Sequence, residues 1–426
     1  MQDSQLQRAI RDGLATGDLP TALARVADVP IGTAEDAAAV VDLLADRQDE
    51  LLQASPSSAS PLQAVLGLFQ QIETEEAYLV LAERGLPSLR LLFDRLMQEP
   101  IGVERFDDLL FLTKIFALYR DEQDIERIAL ASRTPGLEDH SLWSVIFETL
   151  DEQHPLRAEL LNALRDPLPA GFAGVAYLDF ANAVARDEAV EHPFDTPEGQ
   201  RRLESLLVDP DPDRHSYAHS AAAALPFLSE PPRGRLLALG LDHPSERVQL
   251  EAAWASAKIG SRAGIDFLAR ACLDVKVSAT TVGYLEELME LNAIPAGAKD
   301  PDFTAVAEMC RWLSHPMEFG RPPDEAELLE ARTLFWPPAN ELRRLWLVRY
   351  RYSSLLPDGG DELGVGMVGS ITFALFGETT PDLSPQDVFA LHCCWELEVE
   401  HDPRAPQQRN VEAGRQLLRD AGNDGF

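Results

Sequence analysis

The chain has 426 residues, 45% of them hydrophobic, enough to bury a core larger than that of one ordinary domain. Asp and Glu outnumber Lys and Arg 71 to 37, for a formal charge of −34, which repels phosphate backbones and anionic head groups and so excludes nucleic acid and membrane as expected partners. Four cysteines, two adjacent as Cys393-Cys394, make no disulfide framework. The stretch Met1–Ile10 lacks a basic and apolar leader, and no run reaches the ~18 apolar residues of a membrane span, so the cytoplasm is the expected compartment.

From the N-terminus, Thr33 followed by Ala34-Glu35-Asp36 reads as a helix cap with acids in the first turn, and Val40, Val41, Leu43 and Leu44 continue it at helical spacing. Ser55 to Pro61 breaks the pattern as a linker, leaving residues 1–54 as an N-terminal helical cap. Beyond it Pro61 starts a helix and Thr74-Glu75-Glu76 another, which Gly85 is placed to end before Pro87. Phe106, Leu109, Leu110, Leu112, Ile115, Phe116 and Tyr119 form a thick apolar face with a period of 3.6, and 141–150, 155–164 and 172–184 extend the helical series. Ala170-Gly171-Phe172-Ala173-Gly174-Val175 follows no strand signal and is too glycine-poor for a phosphate loop.

Residues 203–292 carry one pattern three times. Leu206-Leu207-Val208-Asp209, Leu239-Gly240-Leu241-Asp242 and Ala271-Cys272-Leu273-Asp274 are each followed by a polar turn and a second apolar run. The spacing of about 32 residues is that of a helix–turn–helix unit, which buries its apolar face only by stacking on neighbours. In the clearest copy, Asp242, Pro244, Val248, Ala252, Ala253 and Gly260 stand where the short HEAT-like repeat of the phycobilisome-lyase type has its turn, its helix start, its close-packed alanine pair and its terminal glycine. The segment resembles that family, with Gln249 where arginine is usual. The resemblance implies a mainly α fold, an α-solenoid of stacked helix pairs over residues 61–335.

After Asn292 prolines punctuate shorter segments, of which Phe303–Leu313 and Asp324–Phe335 are predicted helices. Residues 345–352 alternate, with Trp346, Val348, Tyr350 and Tyr352 on one side and Arg349 and Arg351 on the other, as in a strand. Pro357-Asp358-Gly359-Gly360 signals a turn, and the run from Met367 to Phe376 completes a predicted hairpin. Ser384-Pro385-Gln386-Asp387 opens a helix expected to reach about Val399. Residues 340–426 therefore read as a small α+β appendage, a hairpin with helices.

Three clusters invite a chemical reading. Asp209, Asp211 and Asp213 have the spacing of a calcium loop, but Arg214 and Ser220 occupy the positions of its glycine and bidentate glutamate. His215 and His219 lie four apart on one helical face. The HEAT-like hydroxylases hold two irons with repeated His-Glu pairs, yet His219-Ser220 and Leu250-Glu251 are each at best half of one. Cys394, Glu398 and His401 share a face of the last predicted helix and are conceivable metal ligands or a reactive thiol, although the same cysteines suit a packed core. Neither a Ser/His/Asp signature nor a Walker loop, CxxC pair or HExxH occurs. No catalytic residue and no cofactor is assigned. The expectation is a non-catalytic scaffold that binds a protein partner on a curved helical surface. The alternative, by analogy with lyase and hydroxylase relatives of the repeat, is an enzyme or an enzyme accessory subunit.

Overall fold

A computed structural model describes residues 3–26, 29–53, 61–98, 102–188, 190–354, 360–375 and 382–426. The fold is mainly helical, with one small antiparallel sheet near the C-terminus. It divides into two compact units, residues 1–248 and 249–426.

In the first unit the helices run in order: α1 (Gln5–Thr16), α2 (Leu19–Ala24), α3 (Ala34–Gln53), α4 (Pro61–Leu68), α5 (Glu75–Val80), α6 (Leu86–Gln98), α7 (Phe106–Tyr119) and α8 (Ile125–Ser132). They continue with α9 (Leu142–Glu148), α10 (Arg157–Ala163), α11 (Gly171–Asp187), α12 (Pro197–Leu207), α13 (His215–Ala224) and α14 (Pro232–Leu241). The division falls within α15 (Glu246–Lys258). The caps expected at Thr33 and Thr74 form, each side-chain oxygen accepting an N–H from three residues on. The linker assigned to 55–61 lies outside the described residues apart from Pro61, which opens α4. Gly85 does not end a helix. Leu81–Gly85 is a π-turn in which the Leu86 N–H reaches back to the Leu81 carbonyl, and α6 follows without a break. That wide turn stands immediately before Pro87, which has no N–H to give the helical ladder.

A device absent from the sequence reading recurs between these helices. Histidine is followed by proline at His154, His192, His243 and His315. In each, the ring Nδ1 accepts the backbone N–H two residues on, at 3.0–3.3 Å. His140 does the same without a proline, toward the Leu142 N–H. An accepting Nδ1 leaves the proton on Nε2. His154 Nε2 therefore donates to the Ala117 carbonyl in α7, and His192 Nε2 donates to Asn182 Oδ1 in α11. The His154 and His192 rings each organise their turn and tie it to an earlier helix.

In the second unit α16 (Arg262–Ala271), α17 (Ser278–Glu287) and α18 (Pro301–Leu313) follow α15. Ala252, Ala253 and Trp254 are fully buried, and a Cβ on Gly264 would come within 2.6 Å of the Ala253 carbonyl, so the small residues of α15 and α16 let the two backbones approach closely. Gly260 takes φ of +91°, the left-handed conformation suited to a helix end.

The sheet is a four-stranded antiparallel meander, β1 (Glu325–Trp336), β2 (Glu341–Tyr352), β3 (Glu362–Val368) and β4 (Phe373–Leu375). It is larger than the expected hairpin. The turn predicted at Pro357–Gly360 falls outside the described residues except for Gly360, and the 367–376 run is divided between the end of β3 and β4, with Phe376 undescribed. The segment 324–335, expected as a helix, is the edge strand β1. Its Glu, Ala and Leu residues favour a helix in isolation, but pairing with β2 overrides that preference. Glu325 stands opposite Arg351 and Glu327 opposite Arg349, so the acidic face of β1 meets the basic face of β2.

Alternation in β2 serves two layers. Val348, Tyr350 and Tyr352 pack with Val306, Met309, Cys310 and Leu313 of α18. Leu345 and Leu347 face the other way, onto Phe389, Cys393 and Leu397 of α19 (Pro385–Val399) and Leu418 of α20 (Val411–Asp420). Ser384 and Asp387 form the capping box that starts α19.

Candidate functional site

Each cluster singled out in the sequence has a definite place. In the Asp209–Asp213 turn, Asp209 Oδ1 accepts the Asp211 N–H, Asp211 Oδ1 accepts the Asp213 N–H, and Arg214 reaches Asp209 Oδ2 at 3.3 Å. These carboxylates organise a polar turn. The segment 170–175 begins α11, with the Ala173 N–H given to the Glu138 carbonyl and the Gly174 N–H to the Ala170 carbonyl.

His215 opens α13, and its ring lies edge-on to that of His243 with centroids 4.9 Å apart. His219 is half-buried one turn further along. Burial, followed by the neighbouring His215, holds His243 below the usual imidazole range.

On α19 the proposed metal face comes apart. Cys394 is buried, with its thiol 3.7 Å from the Asn410 carbonyl, while Glu398 is exposed on the last turn and His401 is exposed beyond the helix end at φ of +54°. Cys393 sits in the core under the sheet. Burial pushes both thiols up, away from the thiolate. Among the described residues no group of three or more His, Cys, Asp or Glu is placed to hold a metal ion.

The buried polar residues of α19 are instead Glu396 and His392. Glu396 accepts from Trp336 Nε1 at 2.9 Å and from Ser370 Oγ at 2.5 Å, joining β1 and the β3–β4 turn to the helix. His392 is fully buried, neither ring nitrogen has a hydrogen-bond partner among the described residues, and burial pushes its pKa down to about 3.

A site with room for a ligand lies in the first unit. A groove of about 650 Å3 runs between α2, α4, α7 and the start of α9, a size within the usual range of binding pockets. Leu23, Leu68, Phe111 and Leu142 supply its apolar walls. Ala64 and Gly67 of α4 make a floor without bulk, and a Cβ placed on Gly67 would find no heavy atom within 4 Å. At the rim Asp107 accepts from His140 Nε2 at 3.0 Å with its carboxylate still largely exposed. The sequence reading missed this groove. Its legible trace is the pair Ala64 and Gly67, three apart among larger apolar residues of α4.

A second cavity of about 360 Å3 at the start of α11 includes Phe172, Phe194, Arg202, Arg214 and Tyr217. Its two cations are already committed, Arg202 to Glu198 and Arg214 to Asp209.

Among the described residues no helix is long and apolar enough to cross a membrane. No family model, no curated protein and no solved structure matches the chain.

Proposed function

We propose that the chain is a non-catalytic interaction scaffold of the cytoplasm, a HEAT-like helical array that holds a protein partner in the groove between α2, α4, α7 and α9. The observation that carries this reading is the groove itself: about 650 Å3 walled by Leu23, Leu68, Phe111 and Leu142, with open space above Gly67. Grooves between stacked helices are the surfaces that helical-repeat proteins use for recognition. The repeat reading is supported by the buried Ala252-Ala253 pair, by the close approach of Gly264 to Ala253 and by the left-handed Gly260. A binding role is supported further by how the tempting groups are occupied: Cys393 and Cys394 in packing, and Asp209 and Asp211 in turn hydrogen bonds.

The test compares proteins retained from a native extract by the wild-type chain and by Gly67→Phe, which fills the groove. A partner lost from the variant, with its melting temperature preserved, is the expected result. Identical retained proteins on both would remove the groove from the account.

A further inference from the structure

We propose that the occupant of this groove is an amphipathic helix carrying lysine or arginine beside its apolar face. The inference rests on the scaffold reading above and adds the chemistry of the partner segment. Three observations specify it.

The first is shape. Lining residues recur at helical spacing on the surrounding elements: Ala64, Gly67 and Leu68 on α4, and Asp107 and Phe111 on α7. Such rows leave channels between helices that accept the side-chain ridges of another helix. The floor at Ala64 and Gly67 has no bulk to keep an incoming backbone away.

The second is apolar character. Leu23, Leu68, Phe111 and Leu142 offer contacts to large aliphatic or aromatic side chains, the anchors of helix-in-groove recognition.

The third is charge. Asp107 is negative and accepts from the His140 Nε2–H, and among the described residues no Lys or Arg is paired to it. Asp107 is the charged residue of the groove lining, its carboxylate is largely exposed, and the whole chain carries −34. A cationic segment is drawn toward such a rim and pairs with it, whereas an acidic segment is repelled.

A display library of helical peptides, randomised in both apolar and charged positions, is selected on the intact protein and on two variants. Selection on wild type is expected to enrich peptides with an apolar stripe and at least one Lys or Arg next to it. Those peptides should bind Gly67→Phe at least about tenfold more weakly, and on Asp107→Lys the preference should swing by a similar factor toward Glu or Asp. Melting curves of both variants check that the fold is kept. Enriched peptides with no basic bias, or with affinity unchanged by Gly67→Phe, would overturn the occupant. So would the absence of any enriched helix. If a native partner is still lost from Gly67→Phe in the extract experiment, the scaffold reading survives that failure, and only the chemistry of the segment falls.

Discussion

The Nε2–H of His192 donates to Oδ1 of Asn182 across 3.1 Å, and the Asn182 amide donates in turn to the Ser220 carbonyl at 2.9 Å. One imidazole thus connects its own turn, where Nδ1 accepts the Phe194 N–H, to α11 and, through Asn182, to α13. Its ring also stacks on Phe227 with centroids 6.0 Å apart. Protonating Nδ1 breaks the turn bond and puts a charge in the core.

The consequence is acid lability with a defined window. Burial pushes the His192 pKa from 6.5 down to about 4, against a smaller opposing effect of Asp195. Above pH 6.5 both folded and unfolded states are neutral there and the contribution to stability is fully present. Between 6.5 and about 4 the unfolded chain takes up the proton and the folded ring resists it, so stability falls by on the order of 3 kcal/mol. His154 and His243 are shifted in the same direction, chiefly by burial. Urea titrations from pH 7.5 to 4.5 should show stability declining, with a shallower decline in His192→Asn. An identical slope in the two proteins would refute the assignment.

In α15, Ala253→Asp should destabilise the second unit by several kcal/mol, since the carboxylate would be buried without a partner against the backbone near Gly264. Arg247→Ala, at an exposed position, should change stability by no more than about 0.5 kcal/mol. Thermal melts of the pair measure the difference, and equal midpoints would contradict the packing described for Ala253.

Cys393 and Cys394 were ambiguous in the sequence because a cysteine on an amphipathic helix suits both chemistry and packing. The neighbours that decide between them come from distant strands: Leu345, Leu347 and Met367 pack in the cluster that holds Cys393. Iodoacetamide should therefore label native protein slowly and unfolded protein quickly. Cys393→Ala should cost about 1–3 kcal/mol through lost packing. Rapid labelling of the folded chain at neutral pH would reverse that conclusion.

Glu396→Ala should destabilise far more than Glu398→Ala, although both lie on the same helix. Glu396 is buried and bonded to Trp336 and Ser370, whereas Glu398 faces solvent. The loss at Glu396 should be about 2–4 kcal/mol, because the buried Trp336 Nε1–H and the half-buried Ser370 hydroxyl are left without an acceptor, while Glu398→Ala stays within about 0.5 kcal/mol. Denaturant midpoints decide it, and similar losses would exclude the proposed tie between β1 and α19.

Local signals were the legible part of the fold. The Thr33 and Ser384 caps, the strand alternation of 345–352 and the left-handed glycine at 260 each depend on a few adjacent residues, and each is found where its motif stands. What long-range pairing decides was hidden. β1 is helix-like in composition and is a strand through its pairing with β2, a partner its own residues do not reveal. The groove was hidden for a related reason. Its residues run from Pro20 to Leu142 on four helices, and no single segment reveals that Gly67 faces open space. The four His-Pro dipeptides were in plain view in the sequence, yet their role shows only through the backbone N–H that each ring accepts.

The most direct test of the scaffold reading places a photo-crosslinking benzoylphenylalanine at Phe111, inside the groove, and separately at Val208, an exposed apolar residue that does not line it. After irradiation in the native cell, the account predicts a discrete protein adduct from position 111, lost when Gly67→Phe is added, and no such adduct from position 208. Absence of an adduct at 111, or the same adduct from both positions, would contradict it.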